Sequence, residues 1–316
     1  MDNPIKVGIS SCLLGNKVRY DGQHKLNRYL RDQLGNYVEW LPVCPEVECG
    51  LPTPRESMHL EGSMDEPHLV TTKTEIDHTD KMQSWIKQKI ADLATEDLCG
   101  FVFKTKSPSS GMRGITVFKG KGKPLGTGPG LFASAFMKAF PHIPVEDEGR
   151  LNDNGLRENF IEHLFVMHRW RNFMQSGKGY KDFIDFHTRH KYILMAHSNK
   201  HLKLMGKLVA EGKRKKPEIL MHEYMLLLME AMKLKATVNK NTNVLQHLMG
   251  YFKEHLTSDE KAELSGVIKE YHQELVPLIV PIVLIQHYVR KYDQEYLRDQ
   301  YYLFPHPREL KLRNHV

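Results

Sequence analysis

The sequence predicts an α/β N-terminal domain with a mainly parallel sheet, followed by an all-α C-terminal domain. Up to about residue 155, short apolar runs alternate with small-residue turns and helical patterns, an order typical of parallel sheets with right-handed crossovers. Beyond that point, helix-period patterns follow one another with short polar breaks. A length of 316 residues also favours two domains. We therefore predict domains at 1–155 and 156–316.

Three apolar runs in the first 110 residues each end at a turn of small residues. The run and turn pairs are Lys6–Ile9 with Ser10–Cys12, Val38–Val43 with Cys44–Glu46, and Phe101–Phe103 with Ser107–Gly111. Turns at the carboxyl ends of neighbouring parallel strands converge on one crevice. The sequence therefore predicts that the chemistry takes place at this edge of the sheet.

The remaining elements of the first half follow from periodicity and from Gly and Pro. Apolar spacing predicts helices over 24–34 and 77–93, whereas the Pro-rich segment 50–55 cannot be helical. Further strands are expected at 115–119 and 144–146. The Gly-rich segment 126–130 is predicted as a loop that precedes a helix ending near residue 139.

The second half is predicted to contain only helices. Their expected ranges are 156–174, 180–211, 218–235, 242–255, 259–275 and 276–292. Thr257 or Ser258, with Glu260 just inside the helix, supplies N-terminal capping chemistry.

The charge is unevenly distributed along the chain. Residues 1–155 hold 19 Lys+Arg against 20 Asp+Glu, and residues 156–316 hold 26 against 18, so the net +7 is −1 plus +8. An excess of cations confined to one half indicates a polyanionic partner, for which nucleic acid is the natural candidate. The chain begins without a basic, apolar secretory leader, and its longest apolar run is interrupted by Pro277 and Pro281. We expect a soluble cytoplasmic protein that does not cross a membrane.

Four cysteines are too few for a disulfide scaffold in a chain of this size. Cys12 and Cys44 follow strands, Cys49 lies in the same loop as Cys44, and Cys99 is expected to be a small buried hydrophobic residue. Thiols from separate loops, without a C-x-x-C pair, suit an iron–sulfur cluster assembled across a crevice better than a zinc knuckle.

The motifs resemble a known family in both halves. Segments 9–15, 18–22, 43–46 and 106–109, together with Gly50-Leu51 and Pro54-Arg55, resemble the thiouracil desulfidase family over residues 5 to about 150. Segments 186–191, 245–248 and 302–307 resemble the helical domain fused to it in tRNA 4-thiouridine desulfidases. The resemblance covers nearly the whole chain and implies an enzyme.

The resemblance implies a [4Fe-4S] cluster held by three cysteines, with one iron left free for the sulfur of the substrate. Two of these cysteines are Cys12 and Cys44, whereas Ser110 stands at the position of the third. A serine hydroxyl stays protonated near neutral pH and binds iron more weakly than a thiolate. Three interpretations remain: an engineered serine, a natural variant in which Cys49 supplies the thiolate, or a chain that lost the cluster and retained RNA binding.

The catalytic and substrate-binding candidates surround these turns. Glu46, two residues after Cys44, is predicted to transfer a proton to or from water or the leaving group, with Ser107 as an orienting hydroxyl and Glu48 as a weaker alternative. The predicted substrate-binding residues are Arg19, Tyr20, Asp21, Arg55 and Ser109.

The predicted RNA-binding surface lies between residues 186 and 216, where nine cations face one acid, Glu211. The cations are Arg189, Lys191, Lys200, Lys203, Lys207, Lys213, Arg214, Lys215 and Lys216. Interleaved rings, among them His190, Tyr192 and His197, are expected to stack on splayed bases. The histidine pairs have helical spacing but no nearby thiolate, so a polar-network role is favoured over zinc.

Together these features predict a [4Fe-4S]-dependent desulfidase that converts 4-thiouridine in tRNA to uridine and releases sulfide. Ser110 predicts that this chain is an inactive variant of such an enzyme. Two alternatives remain open from the sequence, namely desulfuration of free thiouracil bases and RNA binding without a cluster.

Overall fold

A computed structural model of the chain describes residues 4–120, 122–177 and 179–315. The chain forms two compact units, Met1–Asp153 and Asn154–Val316. The first contains two β-sheets with helices, and the second is helical, so the predicted fold class is confirmed. The predicted boundary after residue 155 lies inside the first turn of the helix that opens the second unit.

The first unit contains eight strands and three α-helices among its described residues. The strands are β1 (Lys6–Ser10), β2 (Glu39–Val43), β3 (Met58–Gly62), β4 (Pro67–Thr71), β5 (Gly100–Phe103), β6 (Ile115–Phe118), β7 (Pro124–Gly128) and β8 (Val145–Asp147). The helices are α1 (Pro45–Glu48), α2 (Thr79–Ala94) and α3 (Leu131–Ala139).

The first sheet has the strand order β2-β1-β5-β8, and every pair in it is parallel. Ser10 at the end of β1 is in register with Val43 at the end of β2, and Ile9 is in register with Val102 of β5. The three turns that follow β1, β2 and β5 therefore leave the sheet from one edge. All four residues of β5 are buried, as expected for a strand covered on both faces.

A second sheet, in the order β4-β3-β6-β7, was not predicted. The expected strand at 115–119 is β6, which pairs in this sheet rather than in the parallel one. The segment 126–130 was predicted as a loop, but Gly126 to Gly128 belong to the edge strand β7. Polar residues in β3 and β4 and glycines in β7 obscure the hydrophobic pattern of these strands. They are stabilised by pairing with their neighbours, which is antiparallel for β3–β4 and β6–β7 and parallel for β3–β6.

The predicted helix over 24–34 is wrong in its first half, where residues 24–27 form no helix. The second half forms a π-type turn at Tyr29–Gln33, and a short 3-10 turn follows it. The N–H groups of Lys25 and Asn27 donate to the carbonyls of Cys12 and Leu13, both at 2.9 Å. Since these donors serve the turn after β1, they cannot begin a helix. The segment thus holds the Cys12 turn in place.

The second unit contains eight α-helices among its described residues. They are α4 (Asn154–Gln175), α5 (Tyr180–His197), α6 (Asn199–Glu211), α7 (Pro217–Met232), α8 (Val238–Met249), α9 (Ser258–His272), α10 (Ile279–Lys291) and α11 (Glu295–Arg298). The helix predicted over 180–211 is broken at Ser198, which is extended and accepts a hydrogen bond from the N–H of His201 to begin α6. Within the described residues, no helix is both long and apolar enough to span a bilayer.

A buried ion network stabilises this unit. The Arg313 guanidinium donates to Glu162 at 2.9 Å, and His197 Nε2 lies 2.8 Å from the other oxygen of that carboxylate. Burial opposes ionisation of Glu162, but the hydrogen bond with His197 and the charge of Arg313 outweigh it and hold the pKa of Glu162 at about 2. His197 thus acts in a polar network, the role favoured by the sequence.

The burial of four histidines in the helical unit predicts that its folding stability decreases steeply in acid. Burial lowers the pKa of His163 to about 3, lowers the pKa of His187 and of His306 to about 4, and holds that of His190 well below its ordinary value. These groups bind protons in the unfolded chain below about pH 6.5 but not in the folded one. We expect stability to be complete above that pH and to fall by about 1.4 kcal/mol per histidine per pH unit below it.

Urea unfolding at several pH values, followed by hydrogen exchange in α4 to α7, measures this dependence. His163→Leu should reduce the slope by about one proton. His255→Leu, which makes the same substitution at an exposed position of this unit, is the matched control variant. Equal slopes for the wild type and His163→Leu would contradict the assignment.

Candidate functional site

A cavity of about 400 Å³ lies at the edge of the first sheet where β1, β2 and β5 end. The turns after these three strands line it, together with the segment around Arg19 and Tyr20. Cys12, Cys44, Glu46, Ser107 and Ser110 all contribute to its wall. Residues that are far apart in the sequence are thus brought to a single cavity by parallel strand pairing.

The Cys12 turn is held by its backbone. Ser11–Leu14 forms a short 3-10 turn that ends at Gly15, whose φ of 99° is a left-handed conformation that favours glycine. The carbonyl of Cys12 accepts hydrogen bonds from the N–H groups of Gly15 and Lys25. Burial raises the pKa of the Cys12 thiol to about 11, although the nearby charge of Lys104 opposes this shift. The thiol group is therefore held in place and protonated near neutral pH.

Cys44 is placed by the start of α1. Its backbone is extended before Pro45, and its N–H donates to the Glu48 carboxylate at 2.8 Å. The Cys44 sulfur lies 3.5 Å from Glu46 Oε2. Burial, followed by the negative charge of Glu46, raises the pKa of this thiol to about 12. Burial thus keeps both cavity thiols protonated near neutral pH despite the cations nearby.

Glu46 is the carboxylate that faces the cavity. Its Oε1 accepts hydrogen bonds from the hydroxyls of Ser109 at 2.6 Å and Ser107 at 3.3 Å. Its Oε2 lies 3.8 Å from the Arg55 guanidinium as well as beside Cys44. Two hydroxyls and a cation hold the carboxylate in one orientation while it stays at the wall of the cavity. This arrangement suits a group that exchanges a proton with a bound molecule.

The serine turn 107–111 is held by the start of α3. The N–H groups of Leu131 and Phe132 donate to the carbonyls of Pro108 and Ser109 at 3.1 and 3.0 Å. Gly130 permits this contact, since a Cβ at Gly130 would lie 2.6 Å from the Pro108 carbonyl oxygen. The turn consequently presents the side chains at 107 and 110 to the cavity.

The structure separates the predicted substrate-binding residues into two groups. Arg19, Tyr20 and Arg55 line the cavity, and the Arg55 guanidinium also donates to the Val18 carbonyl at 3.1 Å. Asp21 and Ser109 do not line it: the Asp21 carboxylate pairs with Arg19 at 3.3 Å, and Ser109 lies behind Glu46. Asp21 and Ser109 therefore orient residues of the cavity rather than reach its interior.

Some lining residues were not predicted. Lys104, which directly follows β5, pairs with Glu148 and lines the cavity. Its position at the end of a strand, equivalent to that of Ser11 after β1, was the signal that could have identified it. Glu56, Ser57 and Met58 also line the cavity, but they lie at the start of β3, a strand of the second sheet, and carried no such signal.

Cys49 and Cys99 do not contribute to the cavity wall. Cys49 is buried in the apolar core of the first unit, and its sulfur lies 3.2 Å from the Glu46 carbonyl oxygen. Cys99 is 1% exposed, as expected for a buried hydrophobic residue. The structure therefore places the thiol of Cys49 away from the position where it would replace a third ligand.

The side chains around the cavity do not supply the three cysteine ligands that the expected [4Fe-4S] cluster needs. Cys12 and Cys44 supply two thiols, and the third position carries the hydroxyl of Ser110, which is 4% exposed. In the described part of the chain, no group of three or more His, Cys, Asp or Glu side chains is arranged to hold a metal ion. The residues present thus do not fit a three-thiolate cluster, and the misfit is confined to position 110.

The structure divides the predicted RNA-binding residues by exposure. Six of them are exposed, namely Lys200, Lys203, Lys207, Lys213, Arg214 and Lys216. Lys215 pairs with Glu223, Arg189 lies over the ring of Tyr301, and Lys191 lies near the rings of Tyr192 and Tyr296. The exposed cations begin on α6 and continue past its end.

The prediction of stacking rings in this segment is wrong for three of them. His190 and His197 are fully buried, and Tyr192 is 1% exposed, so none of them can stack on a base. The reason is tertiary: His190 and every residue of α5 from Tyr192 to His197 are buried, so the rest of the unit covers this part of the helix on all sides, as the contact between the rings of His190 and Phe186 shows for one side.

Comparisons with known proteins match the two parts of the chain to different family models. Residues 7–148 match the model of the 2-thiouracil desulfurase family. Residues 191–307 match a second family, described only as a protein of unknown function (DUF1722). The chain therefore combines a 2-thiouracil desulfurase region, which contains the whole cavity, with a DUF1722 region that lies within the helical unit.

Similar proteins match one half of the chain or the other. The uncharacterized protein YbgA of Escherichia coli (strain K12) is 28% identical over 50% of this chain and 94% of its own length. The uncharacterized protein YbbK of Bacillus subtilis (strain 168) is 29% identical over 46% of this chain and 97% of its own length. A solved structure, the [4Fe-4S]-dependent thiouracil desulfidase TudS, is 31% identical over 48% of this chain and 96% of that one, with a TM-score of 0.38.

Proposed function

We propose that this chain is a desulfidase for thiolated uracil, with 4-thiouridine in tRNA as its substrate and with turnover limited by Ser110. The observation that carries the proposal is the position of Glu46. Its carboxylate is held by Ser107, Ser109 and Arg55 at the wall of the cavity that also contains Cys12 and Cys44. The match of residues 7–148 to the 2-thiouracil desulfurase family supports this chemistry.

The reaction exchanges sulfur for oxygen at one carbon of the base. Water adds to C4, the carbon–sulfur bond breaks, and both protons of the water pass to the sulfur. The products are uridine in the tRNA and hydrogen sulfide, so that no oxidant or reductant is consumed. Glu46 accepts a proton from the attacking water and returns it to the departing sulfur. Its Oε2 serves this role, because the serine hydroxyls bind Oε1 and the contacts of Oε2 with Cys44 and Arg55 are longer, at 3.5 and 3.8 Å. Ser107 and Ser109 keep the carboxylate aimed into the cavity.

The helical unit is proposed to hold the tRNA. Lys200, Lys203 and Lys207 follow the i, i+3, i+7 spacing of one helical face and are all exposed on α6. Lysines in such a row contact successive phosphates and release counterions on binding. A free thiouracil base has no phosphates for this row to contact, which favours a polynucleotide substrate.

A triple substitution of these lysines by alanine tests the tRNA assignment. We expect tRNA affinity to fall and the slope of log K against log salt to decrease by about 2 to 3 units. Alanine at Lys253, Lys261 and Lys269, which are also exposed in this unit, removes the same charge and should change the slope little. Filter binding at several salt concentrations measures both sets.

Turnover of the two substrates completes the test. Loss of the thiocarbonyl absorbance is followed for 4-thiouridine-containing tRNA and for free 4-thiouracil, in the Ser110→Cys background. If the free base were desulfurated and thiolated tRNA left intact, the tRNA assignment would be abandoned. If neither substrate reacted although a complete cluster was bound, the desulfidase proposal itself would be wrong.

A further inference from the structure

The helical unit contains a second cavity, of about 640 Å³, at one face of α10 and the segment 298–308. Its wall includes three arginines, one histidine and an exposed aromatic ring. These residues are Arg290, Arg298, Arg308, His287 and Phe304. None of them belongs to the basic segment 186–216, so this cavity is separate from the lysine row of α6.

The charge of this cavity is only partly neutralised within the chain. Asp293 is the one acidic residue in its wall, and it pairs with Arg298. Arg308 donates to the side-chain oxygen of Gln286, a neutral group. The Arg290 guanidinium makes no hydrogen bond or ion pair with any described residue of the chain. Two of the three guanidinium groups thus have no carboxylate partner, and the cavity suits an anion.

Phe304 is held at the surface by its neighbours. Tyr302, Leu303 and Pro305 are buried, whereas Phe304 is 48% exposed, and its N–H donates to the Tyr301 carbonyl at 3.1 Å. Val283 in the same wall is 46% exposed. An apolar ring fixed beside unpaired guanidinium groups offers a flat surface for a base together with donors for a phosphate.

We propose that this cavity binds a single-stranded stretch of RNA, with a base stacked on Phe304 and a phosphate held by Arg290 and Arg308. The inference rests on the proposed function, because the RNA is taken to be the tRNA substrate. The cavity would be a second region of contact with the tRNA, besides the lysine row of α6. The charge and the ring favour RNA over an acidic peptide, because a peptide carboxylate would use the arginines and leave the ring without a partner.

Fluorescence anisotropy with labelled, unthiolated oligouridine tests the proposal in the full-length protein. We expect Arg290→Ala to weaken binding about tenfold and to lower the salt slope by about one unit, as for a phosphate contact. Phe304→Leu retains apolar area but removes the ring, and we expect about tenfold weaker binding with an unchanged slope. Phe304→Tyr should bind like the wild type.

Lys253→Ala is the matched control, since it removes one exposed cation of this unit that does not line the cavity. The proposal is overturned if Arg290→Ala and Lys253→Ala weaken RNA binding equally. It is also overturned if a polyglutamate peptide competes with RNA for the wild type and if both Arg290→Ala and Phe304→Leu lower the affinity for that peptide.

Failure of the inference and failure of the proposed function give different results. If the wild type binds oligouridine and full tRNA but the cavity variants do so equally well, only the cavity assignment is wrong. If the wild type binds neither RNA, the cavity assignment and the tRNA substrate are both wrong. Circular dichroism of each variant confirms that the helical unit is folded before binding is compared.

Discussion

Replacing Ser110 by cysteine is expected to change this protein more than any other single substitution. The hydroxyl of Ser110 lines the same cavity as the thiols of Cys12 and Cys44, and only its oxygen departs from a three-thiolate set. Because a thiolate binds iron more strongly than a neutral hydroxyl, the variant should bind a complete cluster after anaerobic reconstitution. Changes outside the ligand shell already alter metal affinity or activity by about 10- to 100-fold, so a restored ligand should raise turnover at least as much.

Iron and acid-labile sulfide analysis, together with the visible absorbance of the cluster, measures the first effect independently of activity. Ser84→Cys, which adds a thiol at an exposed position of α2, is the matched control and should not raise the iron content. Cys49→Ser in the wild-type background should also leave iron unchanged, because the Cys49 thiol lies in the apolar core. A full cluster in the wild type that Cys49→Ser removed would refute our interpretation of position 110.

Glu46→Gln should cause the second large effect. Glutamine keeps the size of the side chain and an oxygen that can accept from Ser109 and Ser107, but it cannot take a proton from water. In the Ser110→Cys background we expect turnover to fall by about 10²- to 10⁴-fold while cluster content and tRNA affinity stay unchanged. A rate measurement beside iron analysis and filter binding distinguishes a chemical role from a structural one.

Glu48→Gln provides the control for this substitution. Glu48 lies two residues further along α1, accepts from the N–H of Cys44 and pairs with Lys89 at 2.8 Å, and it is not part of the cavity wall. Its amide variant should lower turnover less than tenfold, since Gln can still accept that N–H. Equal losses for Glu46→Gln and Glu48→Gln would show that α1 acts only as a support for Cys44.

The candidate site could be predicted from the sequence because it depends on strand ends. Cys12, Cys44 and the serine turn each follow a short apolar run, and parallel strands place such turns at one edge of a sheet. The orientation of individual side chains within a turn could not be predicted in the same way. Ser109 and Cys49 are as close in sequence to the predicted ligands as the lining residues are, yet their side chains point behind Glu46 and into the core.

In the helical half, too, some features could be predicted from the sequence and others depended on the tertiary structure. The sequence alone determined that the second half is helical and carries the positive charge, because helical periodicity and composition are local properties. Only the tertiary structure decided which faces are exposed: packing buries His190, Tyr192 and His197, while the chain end brings Arg308 and Phe304 to the same cavity as Arg290. Exposure depends on contacts between residues distant in sequence, and periodicity within one helix does not contain that information.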